Sequence, residues 1–457
     1  MQFTDLFFLF CFVPVTLLLS FLERSCEYKN FILFISSVLF FTWGRPFIVS
    51  LFLLTAVFDW GMGLLCAPEK SKAVRGTALT ADLAMNVFVF MLGARNSLFE
   101  GIELLTLSDK LIPVGAMFYG IRGFSYVYDV FSGRTPVEKN PFCILTYMVS
   151  FPLMPAGPVV RYGQIRDQIR KREITGEKIN AGLTRITLGL TKLSVLAPVL
   201  QKLCEAGLSE NEITVTGSWA GMLCYIFRFC VVFAGYTDMA IGLGKLFGFD
   251  YPESFKAIDM KKGIKGFANS FNSSLNHLMG DVIVKPLRAR GQLLGFLGIL
   301  FSSAVIGAWF SDSLFFIVAG LITGLFIILE ELFLKDTLEK ILPLFTWLYT
   351  GIILFFVFAL TRFDSLSSLT QWAGGLIGRG EDYILSVALK NAVTQNAFIL
   401  AVSVLCYLPF SRSFFTKKLT AVSEKSARLY GVVRIMQTIA LSVMLMLSVI
   451  ALADAVI

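Results

Sequence analysis

His277 is the only histidine in the chain. An imidazole with a pKa of about 6.5 is the side chain best suited to taking a proton from a hydroxyl near neutral pH. A single copy therefore confines such chemistry to one place, or leaves it to other residue types. Asp281 follows one helical turn later, where it could orient the ring, although an i,i+4 spacing is equally an ordinary helix contact. Asp59, Asp129 and Asp238 stand in or beside apolar runs, where a charge costs about 2.5–3.5 kcal/mol on insertion scales. They read as candidates for a polar lumen or for hydrogen bonds between helices. The eight cysteines are scattered singly, with no CxxC or other metal-ligand spacing, and read as small packing residues rather than disulfides or a metal site.

The elements that must hold these residues are membrane spans. The chain is 56% hydrophobic and 16% charged, with a mean hydropathy of +0.73. Soluble domains carry about one quarter charged residues, so the composition is that of an integral membrane protein. Apolar stretches near 4–22, 30–43, 46–66, 79–94, 111–131, 141–160, 180–203, 217–248, 291–310, 314–334, 341–361, 383–409 and 429–455 are the candidate spans. At about 20 residues per crossing they predict an all-α polytopic protein of roughly ten to twelve transmembrane helices plus re-entrant segments. One domain over 1–457 is expected, because no polar stretch is long enough to build a separate core. Phe3 to Leu22 has no basic start and no small-residue cleavage site before Glu23, which predicts a retained helix rather than a removed signal.

The net charge of +8 collects between the spans. Lys70, Lys72 and Arg75 form one cluster, and Arg161, Arg166, Arg170, Lys171, Arg172 and Lys178 a second. Lys256, Lys261, Lys262 and Lys265 continue into Lys285, Arg288 and Arg290; Lys417, Lys418, Lys425 and Arg428 complete the set. The positive-inside rule makes these loops cytoplasmic and the location a cell inner (plasma) membrane. Basic loops without interleaved aromatics argue against a nucleic-acid partner. Glycines at 115, 120, 123 and 133 and prolines at 141, 152, 155 and 158 break up the region 113–162. Backbone freed by proline at membrane depth must be satisfied by protein or water, so 141–160 is expected to be re-entrant or a broken helix. Residues 163–178 predict a short charged helix. Between 249 and 290, apolar residues at helical spacing predict a segment on the membrane surface or tucked inward.

Motifs in the middle of the chain resemble a known family. Pro113, Val114, Gly115, Phe118 and Tyr119 are followed by Ser125, Tyr126 and Asp129, then by Ala156, Gly157, Pro158, Arg161 and Tyr162. The run AGYTDMAIGLGKLFGFDYPESF at 234–255 is the most specific, and Arg362, Ser365 and Leu366 carry a later arginine-x-x-serine-leucine turn. In this order they resemble the membrane-bound O-acyltransferase family, in particular the bacterial branch of alginate O-acetyltransferases and teichoic-acid D-alanyl transfer proteins. The core signatures fall within 111–380.

The resemblance implies a ring of helices around a central funnel, with acyl transfer across the membrane to a cell-envelope polysaccharide. It implies an acyl-CoA or acyl-carrier thioester as donor and no covalently bound cofactor. The partners implied are membrane lipid, an acyl donor or acyl-carrier protein, and an extracytoplasmic acyltransferase or polysaccharide. It also implies that the family's histidine positions hold Asn272, Phe310 and Thr323 here, and that a family arginine is replaced at Asn269. Asp238, Trp309, Arg161, Tyr236 and Asn269 are the funnel candidates. Phenylalanine at 310 can neither accept nor donate a proton, so the first expectation is a non-catalytic member that binds a partner, lipid or donor. The alternative is an active O-acyltransferase with His277 as a relocated base, although five residues turn a helix about 140° away from Asn272. A lipid or polymer conduit without chemistry is the third reading.

Overall fold

The computed structural model describes residues 1–43, 46–93, 115–153, 157–209, 213–255, 260–311, 313–379, 387–407 and 427–454. Of the residues named above, Pro113, Val114, Pro155, Ala156, Lys256, Lys417, Lys418 and Lys425 lie outside these ranges.

Helices make up the regular structure, and no strand occurs among the described residues. A π-helical turn at Phe8–Phe12 leads into α1 (Val13–Phe21), then α2 (Cys26–Thr42), α3 (Pro46–Leu65), α4 (Lys72–Gly93) and α5 (Gly115–Phe131). Short helices α6 (Pro141–Val149) and α7 (Tyr162–Arg170) precede α8 (Gly176–Thr191), α9 (Ala197–Gly207) and α10 (Val215–Leu246). The middle of the chain forms α11 (Gly263–Phe271), α12 (Ser273–Met279) and α13 (Lys285–Arg288). It continues through α14 (Gln292–Phe310), α15 (Leu314–Leu329), α16 (Lys335–Lys340), α17 (Pro343–Arg362) and α18 (Leu366–Leu376), and ends in α19 (Val387–Tyr407) and α20 (Ala427–Asp454).

The chain is a multi-pass membrane protein. Among the described residues, six helical stretches have the length and hydropathy of a crossing: Gly176–Gly207, Val215–Leu246, Gln292–Phe310, Leu314–Leu334, Pro343–Arg362 and Arg434–Asp454. Phe8–Phe21 and Val49–Leu65 are apolar but shorter. Other expected spans, on α2, α4 and α5, bury Asn30, Asp82, Asn86, Arg122 and Asp129, and these polar groups lower their hydropathy.

The chain forms two compact units. The first comprises Met1–Ile186, Tyr236–Ser254 and Asn272–Leu325, and the second Thr187–Gly235, Phe255–Phe271 and Phe326–Ile457.

In the first unit α3, α4 and α5 approach closely through glycines. A Cβ at Gly123 would run into the Asp59 carboxylate, and one at Gly63 would lie 2.6 Å from the Tyr126 ring. Tyr119 stacks on Phe52 at 4.5 Å between centroids and donates its hydroxyl hydrogen to the Phe52 carbonyl. The proline-rich segment is a broken helix, as expected. Nine residues of α6 rise only about 13 Å at 1.5 Å each, well short of a crossing of about 30 Å. Asn140 caps the start of α6 by accepting the Phe142 N–H at 2.9 Å, with Pro141 at the first helical position where its missing N–H costs nothing.

Beyond α6 the freed backbone groups find partners one by one. The fully buried Arg122 donates to the carbonyls of Met148 at 2.7 Å and Tyr147 at 3.4 Å. A cation there also answers the negative end of the helix dipole. The Phe151 N–H donates to Ser37 Oγ at 3.0 Å, the Tyr147 hydroxyl donates to the Val160 carbonyl at 2.7 Å, and the Val159 N–H donates to Ser274 Oγ at 3.0 Å. Phe8, Phe12 and Phe40 pack their rings around Phe151.

In the second unit α9 and α10 meet at Gly207, Gly217 and Gly221, where a methyl on Gly221 would lie 3.0 Å from the Gly207 carbonyl carbon. Phe229, Phe233, Phe267, Phe271 and Phe358 form one ring cluster. Glu330 is buried. Its carboxylate accepts the N–H groups of Ile264 at 2.7 Å and Lys265 at 3.1 Å and so caps the N-terminus of α11. Gly263, at φ +70°, is required there, because a side chain would run into that carboxylate.

The broken segment predicts its own weak point. Arg122→Met should lose about 3 kcal/mol of stability, because two buried carbonyls lose a charge-assisted donor. A thermal melt of the purified protein in detergent reads this loss, and an unchanged midpoint would show that the carbonyls do not depend on the guanidinium.

Candidate functional site

Asn272 is where the α11–α12 segment breaks. Its backbone, at φ −146° and ψ 63°, leaves the helical region, and α12 starts at the next residue. The expected 140° offset between Asn272 and His277 assumed a continuous helix and does not apply across this break. In the first unit the Asn272 Oδ1 accepts from Ser254 Oγ at 3.0 Å and Ser274 Oγ at 3.4 Å. Ser254 and Ser274 lie 2.8 Å apart, and the Ser273 N–H donates to the Ser254 carbonyl at 2.9 Å. Because Ser274 also accepts the Val159 N–H, this polar knot ties the Gly157–Val160 stretch to the start of α12. The amide at 272 is thereby committed to holding backbone in place.

One turn further, α12 turns an apolar face to the end of α14. Leu275, Leu278 and Met279 pack with Val159 and Trp309, and Tyr236, Ile121 and Phe310 are among the half-buried residues packed against them. Of the funnel candidates, Trp309, Tyr236 and the family position Phe310 are therefore brought together. Trp309 is buried and Phe310 half-buried. The α14–α15 turn is tight enough for this because a Cβ at Gly307 would meet the Phe316 carbonyl and one at Gly320 the Ser303 carbonyl. Thr323 is not in the cluster: its hydroxyl donates to the Ala319 carbonyl at 2.8 Å, within its own helix. Asn269 is exposed on α11 in the second unit, and no hydrogen bond from its side chain to a described residue is present.

Arg161 and Asp238 belong to charge clusters in the first unit. Arg161 pairs with Asp129 at 3.0 Å and with Asp281 at 2.8 Å. Arg134 adds contacts at 3.7 Å and 3.1 Å to the same two carboxylates, and Lys285 reaches Asp281 at 2.7 Å. Asp238, expected either in a polar lumen or in hydrogen bonds between helices, is buried and paired with Arg185 at 2.5 Å, which also holds Glu253 at 2.5 Å.

His277 is exposed on α12, and no hydrogen bond or ion pair of its imidazole to a described residue is present. Its carbonyl accepts from Arg161 at 3.5 Å. Asp281, expected as a residue able to orient the ring, is spent on Arg161, Arg134 and Lys285 instead. Three cations already hold the one carboxylate within a helical turn of the ring.

Glu138 is a residue that sequence reasoning passed over. It is buried in the turn between α5 and α6, where it accepts from the Tyr162 hydroxyl at 2.6 Å, Arg170 at 2.7 Å and the Asn140 N–H at 3.1 Å. Burial pushes its carboxyl up, but these hydrogen bonds and the Arg170 charge outweigh it and hold the group below its usual value. The carboxylate fixes α7, and with it Arg161 at its N-terminus. The available signal was its position ahead of a basic helix with arginines four residues apart, Arg166 and Arg170.

At Asp281, too, burial pushes the carboxyl up. The Lys285 hydrogen bond and the charges of Arg161 and Arg134 pull it further down, to a net value below the usual 3.8. A depressed folded value contributes stability that is complete above the unfolded value and lost as pH falls through the folded one. Asp281→Asn should therefore lower the thermal midpoint at neutral pH and flatten its decline below about pH 4. An acid limb identical to that of the unaltered protein would show that the ion pairs contribute nothing.

The site's family follows from comparison with known proteins. The profile of MBOAT, the membrane-bound O-acyltransferase family, matches residues 136–363, which contain Asn272, His277, Trp309 and Phe310. The chain is 26% identical over 426 residues to the probable alginate O-acetylase of Pseudomonas fluorescens, covering 92% of this chain and 84% of that one. It is 22% identical to the peptidoglycan O-acetyltransferase of Helicobacter pylori, covering 81% and 79% of the two chains. It is also 22% identical over 180 residues to the teichoic acid D-alanyltransferase of Bacillus subtilis, covering 37% and 44%. With the motifs in order and an all-helical membrane architecture around them, the chain belongs to the membrane-bound O-acyltransferase family.

Proposed function

We propose that this protein serves the O-acylation of a cell-envelope polymer from the inner membrane, its basic loops cytoplasmic, as a binding or scaffold partner rather than as the catalyst. The observation that carries this reading is the make-up of the Trp309–Phe310 cluster. Phe310, packed against Trp309 there, can take no proton, and the phenol of Tyr236 becomes a base only when ionised, at about pH 10. A hydroxyl acceptor attacking a thioester near neutral pH needs a placed base, worth about 10²–10⁴-fold in rate. At Asn272 the amide oxygen already accepts from two serine hydroxyls, and an amide is not a base near neutral pH. In this reading Asn272, Phe310 and Thr323 are the positions where the imidazoles of active relatives stand.

The relatives' names supply the chemistry of the pathway: alginate, peptidoglycan and teichoic acid are polymers with acceptor groups outside the membrane. The donor in this reading is an acyl-CoA or acyl-carrier thioester on the basic side, and the partner is an extracytoplasmic acyltransferase or the polysaccharide itself.

A second reading makes His277 the base of an active enzyme. Its exposure favours this, since a substrate can reach the ring. Against it stands the lack of an orienting partner among the described residues, because a base without one loses the alignment on which proton transfer depends.

Acylation of the envelope polymer in cells separates the two. Deleting the chain and restoring it as His277→Ala should return acylation to the level seen with the unaltered protein, and Phe310→His should add transferase activity to the purified chain. A loss of about 10²-fold or more on His277→Ala would assign the base to His277. Robust transfer by the purified unaltered chain would sink the scaffold reading as well.

A further inference from the structure

Arg362 ends the span Pro343–Arg362 and heads the arginine-x-x-serine-leucine turn, which the acyl-transfer reading leaves without a role. In the second unit it lines a cavity of about 290 Å³ together with Glu205, Phe363, Ser368, Gln371 and Trp372. The place of this cavity in the fold is informative. The span Gly176–Gly207 ends at it, the first turn of Val215–Leu246 borders it through Ser218, and Pro343–Arg362 ends at it. The end of a crossing lies at the level of lipid headgroups. Tryptophans gather at that level. Trp219, 45% exposed, stacks on Phe355 at 4.9 Å, and Trp372 donates its ring N–H to the Ser218 carbonyl at 3.1 Å.

The charges are equally informative. The guanidinium of Arg362 lies near the Cys204 thiol, the Tyr225 phenol and the face of Phe363 at 5.7 Å, and has no ion pair with a described residue. Glu205 is exposed, accepts from the Gln201 amide, and likewise has no ion pair with a described residue. One cation and one anion thus line a single small cavity without neutralising each other. A purely anionic ligand would meet Glu205 as a repulsion, and a purely cationic one would meet Arg362.

We propose that this cavity binds the headgroup of a zwitterionic aminophospholipid, phosphatidylethanolamine. Its phosphate pairs with Arg362, whose planar fork matches two phosphate oxygens. The Gln371 amide and Ser368 hydroxyl are further donors to the phosphate, and the ammonium donates to the Glu205 carboxylate. Choline has no N–H to donate and glycerol carries no charge, so the two-charge arrangement selects ethanolamine over both.

Native mass spectrometry of the full chain in detergent, with phosphatidylethanolamine, phosphatidylcholine or phosphatidylglycerol added, tests this. The unaltered protein should retain phosphatidylethanolamine in preference to the other two. Arg362→Gln should weaken that retention about tenfold, the value of a lost charge-assisted hydrogen bond. Glu205→Gln should keep lipid binding but abolish the preference over phosphatidylglycerol, which preserves the test should Arg362→Gln fail to fold. Equal retention by the unaltered protein and a folded Arg362→Gln variant would overturn the proposal. So would displacement of the lipid by inorganic phosphate alone, which would make the site one for a free anion. Displacement by a uronate oligosaccharide would reassign it to a carboxylated sugar.

Discussion

The first unit depends on one constraint: a helix that stops within an apolar stretch leaves backbone donors and acceptors that lipid cannot satisfy. The chain stops α6 at Val149, makes a 3-10 turn at Phe151–Leu153 and resumes as helix α7 at Tyr162. Side chains of the same unit meet the groups freed on the way. Arg122 holds the last carbonyls of α6, Ser37 takes the N–H of Phe151, Tyr147 reaches Val160, and Ser274 takes Val159. An unmet buried group costs about 1–3 kcal/mol, so these bonds decide whether the broken segment can exist at all.

The same stitching positions the candidate site. Ser274 belongs to the knot that includes Asn272 and Ser254, so the backbone at Val159 and the break before α12 are fixed together. Val159 also packs against Leu275, Leu278, Met279 and Trp309. The polar knot and the apolar cluster are thus two sides of one joint: the first supplies direction through hydrogen bonds, the second supplies burial. Charge is kept apart from both. Arg161, Arg134, Asp129, Asp281 and Lys285 neutralise one another, and Arg185 holds Asp238 and Glu253. The lone imidazole is exposed and stands outside these pairings.

Much of this was legible beforehand, for definite reasons. Prolines at 141, 152 and 158 cannot donate to a helical ladder, so the broken segment followed from residue type alone. The charged helix expected over 163–178 forms only over Tyr162–Arg170, and the helical spacing of Phe267, Phe271, Leu275 and Leu278 was readable for the same kind of reason, since periodicity is local. Partner choice was not. Asp281 lies one turn from His277 in sequence, yet it is drawn to cations contributed by the segments around Arg134 and Arg161. Glu330 follows a long apolar run, yet its carboxylate is buried because α11 presents two bare N–H groups to it.

Sequence by itself determined the membrane class, the family, the scarcity of imidazole and the place where the helix must break. Each of these depends on composition, on order along the chain, or on a residue's own backbone chemistry. Tertiary structure alone decided which acids are paired, that Asn272 is committed to serines, that Trp309, Phe310 and Tyr236 share one cluster, and that Arg362 and Glu205 face a common cavity. Those outcomes rest on contacts between segments tens or hundreds of residues apart, where strength depends on distance and burial that no local pattern encodes.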